Sequence, residues 1–416
     1  MKTERRSIGA LNANPSAKKR ARIAASPLRL ISLFGCGALA GYYWLLPVFV
    51  PPGSPSVFDD TGLSIQRIMR IAGVLLIFPL AAGRAIRLPL RERIIRLALW
   101  VFMLAPATSL FFESGLNFLI GTYGPFLAGG LALVCISAFD QDEFAAWLAG
   151  VGLAATVFLI LGLRQYGLDP TWFYGRPRSH IGFIHPTQTA SVIIVAGLFS
   201  IQCARWFLRR LRWLLWPVLA GIVAGVFFLL ISASSRNTAL TAFLIVSCAA
   251  YAQIVKNSSA RTGLVLILLL APFIGYTVAV YGNMQSELWI ALESFSSERL
   301  ITYRELAKRL ADASSLVALI GPPLGSTGGG FASAESAYMS VFLNFGFLTL
   351  ASLFVFLFAL GRRLSKGGHS LAYGCLCAVI IFFAIDAQGI TPSNLAIFIL
   401  LAYVVRNALS RSMAAT

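Results

Sequence analysis

Residues 213–233 read WLLWPVLAGIVAGVFFLLISA, an apolar run that contains no charged side chain. Coiled into a helix that rises about 1.5 Å per residue, a run of this length crosses the ~30 Å hydrocarbon layer of a membrane. Similar runs recur along the 416 residues, of which 58% are hydrophobic and only 12% charged. This composition predicts an all-α polytopic membrane protein.

Charged, glycine-rich and proline-rich breaks divide the chain into about twelve predicted transmembrane helices. We place them at residues 28–50, 66–83, 97–113, 116–138, 144–163, 187–203, 213–233, 237–254, 263–281, 336–360, 370–387 and 393–406. With the N-terminal tail in the cytoplasm, 24 of the 34 Lys and Arg residues fall in inside segments and 10 in outside segments. Because positive charge favours the cytoplasmic side, this bias predicts that both termini are cytoplasmic.

The basic tail at residues 1–27 precedes a transmembrane domain at residues 28–416. Together with the inside loops, the tail accounts for much of the net charge of +18. Clusters of this kind beside membrane spans bind anionic lipid, so the charge indicates a bilayer partner and no nucleic acid. The six cysteines lie in or at the ends of the predicted spans, which argues against a disulfide framework.

Two predicted outside loops are long enough to take part in a site. Residues 164–186 are rich in aromatics and arginine, and residues 282–335, between the ninth and tenth spans, form the only extramembrane segment large enough to fold over the bundle. Ser296 or Ser297 is expected to cap a helix in the second loop. One face of that helix would carry Leu300, Tyr303, Leu306 and Leu310, and the remainder Arg299, Arg304, Lys308 and Arg309.

Arg236 opens the eighth predicted span on the side where positive charge is otherwise scarce. It follows a polar run that includes Ser232, Ser234 and Ser235. An arginine within the hydrocarbon costs roughly 2.5–3.5 kcal/mol at mid-membrane and less near the edge. One interpretation is a guanidinium that snorkels to the interface. The density of hydrogen-bonding groups favours the other, a fixed site for an anion.

The outside arginines are the groups from which we would build a diphosphate site. Arg236 and Arg299, helped by Arg176 or Arg178, are expected to converge on a diphosphate, because guanidinium forks match phosphate oxygens bidentately. Glu335 lies where the large loop re-enters the membrane and is the candidate general base. The alternative is a carboxylate that only pairs with a loop arginine.

The remaining candidates are expected to bind substrate. They are Arg304 and Tyr338 and two histidines of the first loop, His180 and His185, for which a structural hydrogen bond and a catalytic role are equal alternatives. Residues 140–142 read DQD, a pattern that holds metals in soluble glycosyltransferases, but here it falls in a short inside turn. We therefore expect no metal and no cofactor.

At these positions the chain resembles the O-antigen ligase/polymerase superfamily of membrane glycosyltransferases. Residues 182–190 (GFIHPTQTA) are similar to the G-x-x-H-P-N-x-x-A segment of that family, and Ser235-Arg236 is similar to its S-R pair at the start of a span. Residues 297–303 (SERLITY) resemble the family's large-loop arginine followed by an aromatic, and Gly321 with Gly325 resembles its glycine-rich turn. Residues 335–339 (ESAYM), followed by 344–346 (NFG), resemble its re-entry segment. The resemblance covers roughly residues 115–360.

The resemblance implies glycosyl transfer at the periplasmic face of a bacterial inner membrane. The implied donor is an oligosaccharide on undecaprenyl diphosphate, and the acceptor is a sugar hydroxyl of a second lipid-linked repeat unit. Ligases of this superfamily have a histidine where this chain has Glu335. That departure favours a polymerase of exopolysaccharide or O-antigen repeat units over a ligase to lipid A core, with the pathway's flippase and its chain-length or export proteins as partners.

Two other classes of protein remain alternatives. A transporter or flippase for lipid-linked oligosaccharide is expected to show internal repeats, discontinuous spans and ionisable groups at mid-membrane. A structural subunit of a synthesis complex is expected to lack a converging set of polar groups. The sequence shows no convincing repeat, and its candidate polar groups lie on one side, which favours the enzyme.

Overall fold

The structure of the chain is a computed structural model. It describes residues 27–46, 49, 68, 71–73, 76–79, 93–112, 123–168, 170–173, 176–183, 186–208, 211–233, 236–287, 289–290, 299–311, 313–321, 336–385 and 394–409. The basic tail before residue 27, most of the second predicted span at 66–83, and parts of both predicted outside loops lie outside these ranges.

Helices make up nearly all of the described chain. They are α1 (Pro27–Leu45), α2 (Arg93–Leu104), α3 (Gly124–Ser137), α4 (Gln141–Tyr166), α5 (Pro186–Phe207), α6 (Arg212–Ala233), α7 (Arg236–Ile254), α8 (Ser258–Tyr281), α9 (Arg299–Ala311), α10 (Ser315–Ile320), α11 (Ala337–Gly367), α12 (Ser370–Ile385) and α13 (Leu395–Leu409). A 3-10 helix at Ala105–Phe111 continues α2.

Six helices of the described chain, α1, α4, α5, α6, α8 and α11, are long and apolar enough to cross a membrane. The apolar helices α3, α7, α12, α13 and the segment Leu97–Phe111 are shorter. The prediction of an all-α membrane protein is confirmed at this level. Each predicted span except the second overlaps one of these helices in sequence, and the number of spans that cross a membrane stays a prediction.

The core lies around α11, α12 and α13. Between Ala372 and Phe383 almost all of α12 is buried, against α7 on one side and α11 and α13 on the others. Packing is closest where small residues meet: a Cβ at Gly374 would lie 2.4 Å from the carbonyl oxygen of Ile245 in α7. Small residues at such crossings let helix backbones approach in a membrane protein, where burial from water does not drive association.

The acidic turn at residues 140–143 is a helix cap. The Asp140 side chain accepts hydrogen bonds from the backbone N–H groups of Asp142 and Glu143, and the Glu143 carboxylate accepts one from the Asp140 N–H, which forms a capping box for α4. Glu143 is fully buried, and Arg29 of α1 donates to it at 2.5 Å. Residues 140–142 are exposed, and the turn joins α1 to α4 through the buried Glu143, a contact that the sequence analysis did not foresee.

A small β-hairpin interrupts the helical pattern within the first long loop. Strand β1 (Pro170–Phe173) pairs antiparallel with β2 (Arg176–Ser179), and Thr171 lies opposite Arg178. The all-α prediction did not include this hairpin. The loop ends in an isolated bridge between Phe183 and Phe49, whose rings meet edge to face with centroids 5.3 Å apart.

Helix α11 is broken at Gly346, where φ is 80° and ψ is 177°. Glycine adopts a positive φ without the steric cost that a Cβ would impose. The break admits the C-terminal end of α10, because a Cβ at residue 346 would lie only 2.8 Å from the carbonyl oxygen of Gly321. Thr108 supports the contact, since its hydroxyl lies 2.7 Å from the carbonyl oxygen of Ile320.

Gly346→Ala is expected to destabilise the fold. A backbone with φ 80° and ψ 177° costs about 1–3 kcal/mol for a residue with a Cβ, and the crowding against α10 adds about 1–3 kcal/mol. We expect a clear fall in the thermal unfolding temperature of the protein in detergent. Gly275→Ala is the control, because a Cβ at Gly275 of α8 meets no described atom within 4 Å. Equal melting temperatures for the two variants would contradict this account.

Candidate functional site

Helix α9 presents an apolar face to the membrane helices and charged groups to the outside of the bundle. Tyr303 and Leu306 are buried, and Leu310 packs partly against α11. On the opposite face, Lys308 donates to Glu305 at 2.7 Å, and both side chains are largely exposed. The predicted helix is therefore confirmed at residues 299–311, and its predicted buried face is confirmed at Tyr303, Leu306 and Leu310. The side chains of residues 299, 300 and 309, and the segment before Arg299 that would hold the cap, lie outside the description.

An apolar cavity of about 260 Å³ lies beneath α9, between α8 and α11. Its lining includes Phe273, Tyr276, Tyr303, Ala307, Leu310, Tyr338, Phe342 and Phe354. Tyr276 and Tyr303 meet edge to face at a centroid distance of 4.7 Å, so ring contacts join α9 to α8 at the cavity wall. The wall offers hydrocarbon and ring surface, which suits an apolar chain or ring.

Hydroxyl groups lie at the end of the cavity where α11 begins. Ser336 donates to the carbonyl oxygen of Phe383 at 3.1 Å, so its single proton is committed to that bond. Tyr276 lies 2.7 Å from the same Ser336 oxygen and must therefore be the donor to it. This chain of bonds fixes the start of α11 against α8 and α12, directly after Glu335 in the sequence.

Tyr338 has less to offer a substrate than the sequence suggested. It is buried, and its hydroxyl donates to the carbonyl oxygen of Ile380 at 2.9 Å. Its ring lines the cavity and packs against Phe354 at a centroid distance of 4.8 Å. The contribution of Tyr338 to a site is thus apolar surface, while its hydroxyl holds α11 to α12.

Arg304 projects toward the segment that precedes α9. Its guanidinium carbon lies 5.4 Å from the ring centre of Trp289, which is buried. Such a cation–π contact contributes about 0.5–2 kcal/mol, depending on exposure. Arg304 is therefore held close to the apolar cavity by Trp289, a contact that the sequence analysis did not foresee.

Two of the predicted site residues in the first loop, Arg178 and His180, have described side chains, and His180 takes the structural alternative. His180 is buried, and its Nδ1 lies 3.0 Å from the carbonyl oxygen of Phe183, while Thr189 donates to its backbone carbonyl at 2.7 Å. These bonds hold His180 against the backbone and side chains that lead into α5. Arg178 is half-buried in β2, at the position paired with Thr171.

The other predicted site residues are placed only in part. Arg236 and Arg299 are the first residues of α7 and α9, and Arg176 lies in β2, but their side chains are outside the description. Glu335 and His185 lie wholly outside the described residues. Convergence of these five side chains on one site therefore stays a prediction.

Two residues of this region had no place among the predicted site residues. Tyr276 lies four residues after Pro272 in the last turns of α8, and Trp289 follows that helix across a short turn. Their aromatic rings near the end of a predicted span were the available signal, but the aromatic belt of any membrane protein gives the same one. Comparison of the chain with known protein families, with curated proteins and with solved structures finds no match.

Proposed function

We propose that this chain is a polysaccharide polymerase that joins lipid-diphosphate-linked oligosaccharide repeat units. The observation that carries the proposal is the position of an amphipathic basic helix, α9, over an apolar cavity. A lipid-linked sugar diphosphate has the matching chemistry, because an apolar chain adjoins an anionic head. The apolar chain of the donor finds van der Waals contacts in the cavity in place of those with lipid tails, and arginine forks suit the diphosphate.

In the proposed reaction the acceptor hydroxyl attacks C1 of the donor sugar from the face opposite the diphosphate. The new C1–O bond forms as the bond to the diphosphate breaks, and configuration at C1 inverts. Glu335 takes the hydroxyl proton, and the electron pair leaves with the diphosphate. Arg236 and Arg299 stabilise the charge that develops on the leaving group, which is the step for which preorganised cations are suited.

The proposed topology has twelve spans, with both termini in the cytoplasm and the site on the periplasmic face of an inner membrane. Its support is the charge bias of the connecting segments. In this scheme α9 lies outside, and the turns that hold Arg205 and Lys256 lie inside. The flippase and the chain-length or export proteins of the pathway are the proposed partners.

Cysteine labelling tests the topology. With Cys36 and Cys203 replaced by serine, we expect Lys308→Cys to react with a membrane-impermeant maleimide in intact spheroplasts, because its side chain is 65% exposed on α9. Lys256→Cys is the matched control at an exposed turn and should react only after lysis. Reaction of position 308 only after lysis would overturn the proposed topology.

Lipid-linked products in cells with and without the chain test the function itself. Loss of a polymerase should leave single repeat units on lipid at the periplasmic face and no longer polymer. Loss of ligation alone should leave lipid-linked polymer, because chain growth would continue. Loss of all periplasmic lipid-linked units would indicate a transporter.

The transporter remains a second candidate because α11 is discontinuous at Gly346. Broken membrane helices often form the substrate and ion sites of secondary transporters. In the described structure, however, the break receives the backbone of residues 319–321, so packing within the protein already fills it.

Ala307→Trp is expected to block the cavity. Ala307 lies on the buried side of α9 and lines the cavity, so an indole there would occupy the space proposed for the lipid chain. We expect the KM for the lipid-linked donor to rise on the order of tenfold, with kcat less affected, in an assay with purified donor. Leu316→Trp is the control, because Leu316 of α10 is 59% exposed. Unchanged KM in Ala307→Trp would remove the cavity from the proposed function.

A further inference from the structure

The turn between α5 and α6 carries exposed aromatic rings on both of its sides. Trp206 and Phe207, at the end of α5, are 66% and 70% exposed, and their ring centroids lie 4.7 Å apart. Trp213 and Trp216, at the start of α6, are 75% and 74% exposed. Rings this exposed face the surroundings of the protein, and tryptophan favours the headgroup level of a bilayer.

The same turn concentrates positive charge. Four arginines fall between residues 205 and 212, and no Asp or Glu occurs anywhere between residues 170 and 286. Arg205 is exposed at the end of α5, and Arg212 is the first residue of α6. The ends of the connection lie close together, since the backbone N–H of Leu211 donates to the carbonyl oxygen of Leu208 at 2.9 Å. The four arginines fall within eight consecutive residues of the sequence.

The connection between α7 and α8 is also basic, but its arginine is bound within the protein. Arg261 is 6% exposed, and its guanidinium donates to the carbonyl oxygens of Val255 at 2.6 Å and Ser365 at 3.2 Å. Arg205, in contrast, is exposed, and the exposed Trp206 follows it in the sequence. Lys256, in the turn next to Arg261, is exposed but is not flanked by tryptophan.

Helix α6 exposes one face to the surroundings of the protein. None of the residues in its most apolar 18-residue stretch is buried, and it packs against α5 and against strand β2. A helix this apolar with this exposure is covered by lipid tails, which places the basic turn at the level where the headgroups of the same lipids lie.

We propose that the turn between α5 and α6 is a binding site for the headgroups of anionic phospholipids. The indole rings of Trp213 and Trp216 occupy the glycerol level, and arginines of residues 205–212, with Arg205 exposed among them, bind the phosphodiester. The occupant is a bilayer phospholipid rather than the lipid diphosphate of the proposed reaction, whose arginines lie at other connections. The site would orient and retain the protein in membranes rich in acidic lipid.

Quenching of tryptophan fluorescence by brominated lipids tests the site in the full chain. The protein is reconstituted in brominated phosphatidylglycerol or brominated phosphatidylcholine at varied mole fraction. The quenching at Trp213 and Trp216 is obtained as the difference in quenching between the wild type and the double variant Trp213→Phe/Trp216→Phe. We expect an affinity several-fold higher for phosphatidylglycerol at these two rings. Equal affinity for the two lipids would mean that the rings are interfacial anchors only, and this result alone would contradict the proposal.

Charge variants locate the binding groups. Each basic side chain at an anionic surface is worth about fivefold in affinity, so Arg205→Gln/Arg212→Gln should remove most of the preference. Arg205→Lys/Arg212→Lys should keep the preference, because a point charge also attracts a phosphodiester monoanion. This variant is the control for a folding defect caused by substitution at the two positions. Lys256→Gln is the matched control and should leave the preference intact. Full preference in the double Gln variant would contradict the proposal.

Discussion

Glu335→Gln is expected to lower turnover by ~10²–10⁴-fold with donor binding largely retained. Glutamine keeps the size and much of the hydrogen bonding of glutamate but cannot accept the proton of the acceptor hydroxyl. Glu335 directly precedes Ser336, which is fixed by its bonds to Tyr276 and Phe383 at the head of the apolar cavity. The measurement is the rate of chain extension from purified lipid-linked repeats, with donor affinity measured separately.

The pH profile separates a base from an ion-pairing carboxylate. A general base must be ionised, so the rate of the native enzyme should fall as pH drops below the pKa of the base, and Glu335→Gln should lack that acidic limb. If Glu335 only neutralises an arginine, the change should disturb binding or folding more than turnover. Glu305→Gln is the control, because Glu305 is an exposed carboxylate of the same loop paired with Lys308. Normal turnover in Glu335→Gln would make His185 the next candidate base.

Much of the helical architecture is predictable because hydrophobic length is a local property of the chain. The run at residues 213–233 is sufficient to predict α6, and the spacing of Tyr303, Leu306 and Leu310 is sufficient to predict the buried face of α9. The hairpin at residues 170–179 lacks such a signal, since its strands are four residues each and contain two prolines. The position of such short strands depends on the turn between them and on packing, because four residues are too few to show an alternation of apolar and polar side chains.

The break in α11 and the interior of the site depend on contacts between distant parts of the chain. Gly346 is one of 36 glycines, and only the arrival of residues 319–321 explains why it adopts a positive φ. Likewise, the sequence places Tyr338 near the re-entry point but cannot show that its hydroxyl is bound to Ile380. Sequence patterns give the face on which a side chain lies, whereas its partner requires the three-dimensional packing.

Arg236→Lys and Arg299→Lys are each expected to lose most activity, on the order of 10²-fold, while the protein still accumulates in the membrane. The size follows from what one preorganised donor to a developing oxyanion is worth in other enzymes, about 10²–10³-fold. Lysine keeps the charge, but its point ammonium cannot form the two parallel bonds that a guanidinium makes to a diphosphate. Both arginines begin helices, α7 and α9, so the substitutions leave the apolar parts of those helices unchanged.

Arg164→Lys makes the same chemical change at an exposed position in the last turn of α4, on the same predicted side of the membrane and outside the proposed site. It should polymerise at the normal rate. The readout is polymer formed per unit of membrane-inserted protein, together with the affinity for a donor analogue that retains the diphosphate. The arginine variants should weaken that affinity less than they slow turnover, because the charge on the diphosphate grows as the bond to C1 breaks. Near-normal polymer from either lysine variant would show that the residue acts as a diffuse charge or an interfacial anchor, and the diphosphate site would then have to be sought among Arg176, Arg178 and Arg304.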